Sequence, residues 1–190
     1  MSLATRATAL SDLVARCVAT DGNQAVQRLD VAIASVCACL KDLQARGGRV
    51  YLVGNGGSAG VASHAATDFF NVGRLRAFTL HESSLLTCMA NDFGYENAFA
   101  RILSRMVEPG DLVFAISSSG KSMNIRNATT QALASGGQVI TLSGFASDNP
   151  LRCAGMTNFW LDSSDYGMVE IGHQFILHNI SDRLRAAFTG

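Results

Sequence analysis

Between residues 7 and 46 apolar side chains recur every three or four positions: Leu10, Leu13, Val14 and Val18, then Leu29, Ile33, Val36, Leu40 and Leu43. That is the period of an amphipathic helix. The stretch has no proline and a single glycine, Gly22, so it predicts two helices broken near Asp21-Gly22 and stopped by Gly47-Gly48. Beyond residue 48 the pattern changes. Short runs that are apolar almost throughout, RVYLVGNG (49–56), RAFTLH (76–81), DLVFAIS (111–117), QVITLSG (138–144) and NFWLDS (158–163), read as buried strands. Helical stretches separate them at about 58–70, 83–94, 96–107 and 122–135. A last helix over 166–187 carries Val169, Phe175, Ile176, Ile180 and Leu184.

Strands without polar alternation belong to a parallel sheet covered on both faces. The expected fold is a doubly wound, flavodoxin-like α/β sheet of about five parallel strands flanked by helices. It forms one domain over residues 1–190, with the extra N-terminal helices of 7–46 used for packing and oligomerisation. Ligands of such sheets bind outside the carboxyl ends of the strands. Apolar residues make up 48% and charged residues only 16% of the chain. About a quarter charged is usual, so part of the surface is expected to be hidden in an oligomer.

Formal net charge is zero, and Lys41 and Lys121 are the only lysines. With scattered arginines this gives no basic field, which argues against nucleic acid. The five cysteines, 17, 37, 39, 88 and 153, form no CxxC and are expected as free thiols of a reducing, cytoplasmic compartment. No run has the order of a signal peptide or the length to span a membrane, so no membrane partner is expected.

Three predicted strand ends carry loops of glycine and serine: GNGGS (54–58), SSSGKS (117–122) and SGFAS (143–147). Glycine lets backbone approach an anion, and serine donates hydroxyl hydrogen bonds. The first two loops also open helices, whose first N–H groups have no intrahelical partner. Two such loops side by side point to a phosphate. AISSSGKS (115–122) also matches a relaxed nucleotide P-loop, through Ala115, Gly120, Lys121 and Ser122. Against the nucleotide, Ala115 lies inside an apolar strand and VITLSG ends without a magnesium-binding acid.

His64 and Asp68 are four apart on the helix after GNGGS, which puts both on one face. That spacing suits a shared metal, a shared substrate atom, or an ordinary surface pair. On the last helix Glu170, Gln174 and His178 form a polar line at i, i+4, i+8. Eight helical residues rise about 12 Å, so Glu170 and His178 of one straight helix cannot reach one ion. Either the helix starts after Glu170, or a neighbouring subunit contributes one of them.

Over nearly its whole length the chain resembles the phosphoheptose isomerase family of the sugar isomerase (SIS) superfamily. The resemblance rests on GNGGS at 54–58, the His64-to-Asp68 helix, MANDFGYENAF at 89–99 with Arg101, PGDLVFAISSSGKS at 109–122, VITLSG at 139–144 and the E-x7-H of 170–178. It implies a homotetramer with active sites at subunit interfaces. It also implies conversion of sedoheptulose 7-phosphate to D-glycero-D-manno-heptose 7-phosphate through an enediol. By the same resemblance Ser117, Ser118, Ser119 and Ser122 hold the phosphate. Asn55, Gly56, Gly57, Ser58, Asn91, Asp92 and Glu170 bind the sugar, and Asp68 and His178 are the acid/base pair. His64, Asp68, Glu170 and His178 bind zinc in some members.

The chain departs from the family pattern at Asp68 (usually glutamate), Glu170 (glutamine), Gly167 (aspartate), Val72 (arginine) and Lys121 (asparagine). Two other functions compete with isomerisation: a non-catalytic SIS-type regulator that binds a phosphosugar or a partner protein, and a P-loop NTPase.

Overall fold

The computed structural model describes residues 2–188. The chain runs α1 (Leu3–Ala15), β1 (Val18–Asp21), β2 (Val26–Gln27), α2 (Leu29–Ala45), β3 (Arg49–Val53), α3 (Gly57–Asn71), β4 (Arg76–Thr79) and α4 (Ser83–Phe93). It continues with α5 (Ala98–Met106), β5 (Leu112–Ser117), α6 (Met123–Ala134), β6 (Gln138–Ser143), β7 (Thr157–Trp160) and α7 (Tyr166–Phe188). Single 3₁₀ turns precede α5 (Tyr95–Asn97) and β7 (Pro150–Cys153).

The sheet order is β2-β1-β7-β6-β5-β3-β4. β4, β3, β5, β6 and β7 are parallel, as the apolar runs predicted. The chain reverses direction across the sheet between β3 and β5, which makes that edge the switch point where ligands bind. One face packs on α2, α3 and α7 through Val36, Leu40, Phe69 and Ile180. The other packs on α5 and α6 through Phe99, Leu103, Ile125 and Ala128. All six residues of β5 are buried, which explains the lack of polar alternation in its sequence.

The N-terminal segment differs from the expected helix pair. The first helix ends at Ala15, and a hairpin of β1 and β2 intervenes before α2. β1 pairs antiparallel with β7, Val18 opposite Trp160 and Asp21 opposite Thr157. The hairpin covers the edge that β7 would leave open, and edge pairing outweighs the helical spacing of Val18. β-branched Val18 and Thr20 suit it. Asp21 Oδ1 accepts from the N–H groups of Asn23 and Ala25 and turns the chain between the strands. The sheet therefore has seven strands, two more than the five parallel ones.

All five cysteines are free, as expected. Burial pushes the Cys17 thiol up to about 12. Among the described residues no helix is long and apolar enough to cross a membrane.

Candidate active site

The loops after β3 and β5 meet at the switch point. Together they form a cavity of about 330 Å³ lined by Asn55 to Ser58, Ile116 to Ser119 and Ser122. Tyr166 and Glu170 of α7 supply the remaining wall. The starts of α3 and α6 both open on this cavity, so their unpaired N–H groups favour an anion there. Gly56 turns the first loop at φ +52. A side chain at Gly57 would collide with the Glu170 carboxylate, which lies directly over the start of α3. Gly120 turns the second loop at φ +64 and abuts the buried Asn149 carboxamide.

The serines are prepared for a ligand. Ser118 is buried, and its hydroxyl has no partner. Buried polar atoms are normally paired, so this one is an open contact for whatever fills the cavity. Ser117 and Ser122 lie with their hydroxyls 3.4 Å apart. Ser119 Oγ accepts from Lys121 N–H at 3.2 Å. Lys121 itself is exposed and is not part of the cavity wall. Ala115 is buried inside β5. The nucleotide reading therefore loses its first turn and its phosphate-binding lysine.

The third loop buttresses the second. Gly144 N–H donates to the Ser118 carbonyl, and Asn149 Nδ2 donates to Ser143 Oγ and to the Gly144 and Ala146 carbonyls. His81, at the end of β4, lies with Nε2 3.2 Å from the Gly54 carbonyl and braces the first loop. Burial lowers the pKa of its ring. Because Nε2 faces a carbonyl oxygen, it is the nitrogen that carries the proton.

A second constellation lies elsewhere. His178 Nδ1 is 2.8 Å from Asp68 Oδ2, and His64 Nε2 is 3.3 Å from the same oxygen. The two imidazole rings stand edge to face at 5.7 Å. One ligand atom from each of the three residues lies within 4.8 Å of the others. Two imidazoles and a carboxylate are a donor set that suits a divalent ion and leaves a position open.

Glu170 does not join this group within the chain. It is a residue of α7 proper, so the alternative that the helix begins after it is removed. Glu170 meets Gly57 while His178 meets Asp68, so α3 and α7 run side by side in the same direction. From Gly57 to Asp68 the helix rises about 16 Å. The serine cavity and the His64–Asp68–His178 cluster are thus at opposite ends of one helix pair.

Asn91 and Asp92 lie on exposed α4, bonded to each other at 2.9 Å, outside this cavity. Asn55 lines the cavity, yet its amide is already bound to Asn124 and Tyr95. Sequence reasoning missed Asn124, Tyr95, His81 and Tyr166. Asn124 sits two residues past the serine loop, and only that proximity could have flagged it.

The SIS domain family profile matches residues 8–144. A phosphoheptose isomerase of Mycobacterium tuberculosis is 37% identical over 149 residues, 74% of either chain. The solved phosphoheptose isomerase of Neisseria gonorrhoeae superposes with a TM-score of 0.77 at 22% identity, over 97% of this chain and 100% of that one. That of Francisella tularensis gives 0.79 at 22% identity, over 97% and 98%.

Proposed function

The chain belongs to the SIS domain family, and from that premise we propose that it is a phosphosugar isomerase converting sedoheptulose 7-phosphate to D-glycero-D-manno-heptose 7-phosphate. Aldose–ketose exchange moves a proton between adjacent carbons through an enediol. It requires a base at carbon and a group that moves protons between the two oxygens. Asp68 and His178, hydrogen-bonded at 2.8 Å, supply this pair. The substrate phosphate docks on Ser117, Ser118, Ser119 and Ser122 and on the starts of α3 and α6.

The observation that carries the assembly is the separation of cradle and pair. From its reacting carbons to phosphorus an extended heptose 7-phosphate spans roughly 9 Å, against about 16 Å along α3. That separation favours a site in which two chains hold the two ends of the substrate. In this reading the active site joins the cradle of one subunit to the His64–Asp68–His178 group of another, within a homotetramer. Exposed Phe70 on α3 and Ile171 and Phe175 on α7 supply apolar surface for such an interface.

The same arrangement would bring Glu170 of one chain towards His64, Asp68 and His178 of another. Those four side chains would hold zinc, which as a Lewis acid would polarise the substrate carbonyl. A purified, zinc-replete protein is expected to turn over sedoheptulose 7-phosphate, and chelation is expected to lower the rate. A folded, metal-replete protein without turnover would contradict the isomerase reading.

A further inference from the structure

Asn55 and Asn124 face each other across the two phosphate-side loops as a closed amide pair. Asn55 Nδ2 donates to Asn124 Oδ1 at 2.9 Å, and Asn124 Nδ2 donates to Asn55 Oδ1 at 2.8 Å. Tyr95, on the 3₁₀ turn after α4, donates its hydroxyl to the same Asn55 Oδ1 at 2.8 Å. An amide pair alone has no polarity, since both partners can turn over together. Here a backbone group breaks the tie. Ile125 N–H, in the first turn of α6 where no helical acceptor is available, donates to Asn124 Oδ1 at 3.0 Å. Asn124 is buried and keeps its oxygen on that N–H. Asn55 must then present Oδ1 to Asn124 Nδ2, and Tyr95 must donate.

A carboxamide oxygen has two lone pairs, and both on Asn55 are now used. Of its two N–H groups one is used. What Asn55 offers to the cavity it lines is one N–H donor and no acceptor. We propose that Asn124 and Tyr95 are positioning residues that lock Asn55 as a hydrogen-bond donor towards the sugar. That position then reads an acceptor oxygen of the substrate, the carbonyl and its enediolate, and does not read a hydroxyl proton. A fixed donor aimed where negative charge develops stabilises the enediolate without reorganising. The inference rests on the isomerase reading and adds to it two residues remote in sequence from the acid/base pair.

A double-mutant cycle tests it. Asn55→Ala is expected to lower kcat by about a hundredfold, as loss of such a donor does. Asn124→Ala is expected to lower kcat by about tenfold and Tyr95→Phe by about threefold, because both act only through Asn55. The dissociation constant for inorganic phosphate, held by the serines, is expected to stay within about twofold in all three. In the Asn55→Ala background neither second change is expected to lower kcat further. Independent, additive losses would overturn the proposal, as would losses that follow phosphate affinity. Tyr95 is exposed, so the Tyr95→Phe cycle decides the matter even where Asn124→Ala does not fold. A wild-type protein without turnover would defeat the isomerase reading alone. The cycle would then be read on calorimetric binding of sedoheptulose 7-phosphate against inorganic phosphate, with the same two outcomes.

Discussion

Replacing Ser118 by alanine should move stability and binding in opposite directions. The hydroxyl is buried without a partner, while the Ser118 carbonyl accepts from Gly144 N–H in a bond that alanine keeps. Leaving a buried polar atom unpaired costs about 1–3 kcal/mol. Deleting it should therefore leave the ligand-free protein as stable as before, or more stable by up to about 2 kcal/mol. A bound phosphate reverses the balance. The hydroxyl then donates to a charged oxygen, an interaction worth about 1.5–3 kcal/mol, so the variant should bind inorganic phosphate roughly ten- to a hundredfold more weakly. Urea unfolding without phosphate reads the first quantity, and calorimetric titration with phosphate reads the second. The thermal shift that phosphate confers on the wild type should shrink in parallel. A ligand-free variant destabilised by more than about 1 kcal/mol with unchanged phosphate affinity would refute the reasoning, because Ser118 would then be a structural hydroxyl.

Three further substitutions probe the surroundings. Gly120→Ala forces an L side chain into φ +64 against Asn149 and should cost at least about 2 kcal/mol in urea unfolding, together with phosphate binding. Lys121 is exposed and outside the cavity wall, so Lys121→Asn should change phosphate affinity by less than about twofold in the same titration. His173 is fully buried, with Nε2 3.1 Å from the Ser143 carbonyl, and burial lowers its pKa to about 4. Its ring takes a proton more readily in the unfolded chain, near pH 6.5, so this residue lowers stability as pH falls from about 6.5 towards 4 and has no effect above that window. The slope it adds approaches about 1.4 kcal/mol per pH unit, and urea unfolding of His173→Gln across that range should show a shallower decline.

How far the sequence reached depends on how local each signal was. β5 is buried along its length and β6 from Val139 onwards, so they read as strands without reference to anything else. The β1–β2 hairpin was hidden because its reason lies in β7, 137 residues away at the Asp21–Asn158 contact. The glycine and serine loops were legible because their chemistry is written in consecutive residues. The Asn55–Asn124 pair joins positions 69 apart, and the Asp68–His178 bond joins positions 110 apart. No spacing rule within one helix or loop reports either. The conflict between Glu170 and His178 was legible as helix geometry, and the fold sharpened it: the two residues attend different ends of α3.

The proposed sharing of an active site between subunits is tested most directly by complementation between two impaired variants. Ser118→Ala weakens the proposed cradle, and His178→Ala removes one half of the proposed acid/base pair. Each alone should turn over sedoheptulose 7-phosphate poorly. Co-expressed in equal amounts, they should assemble oligomers in which about a quarter of the sites join an intact cradle to an intact pair, and recover about that fraction of the wild-type rate at limiting substrate, where the binding defect of Ser118→Ala is felt. A site contained in one chain would always carry one of the two lesions. Mixed oligomers no more active than the separate variants would contradict the account.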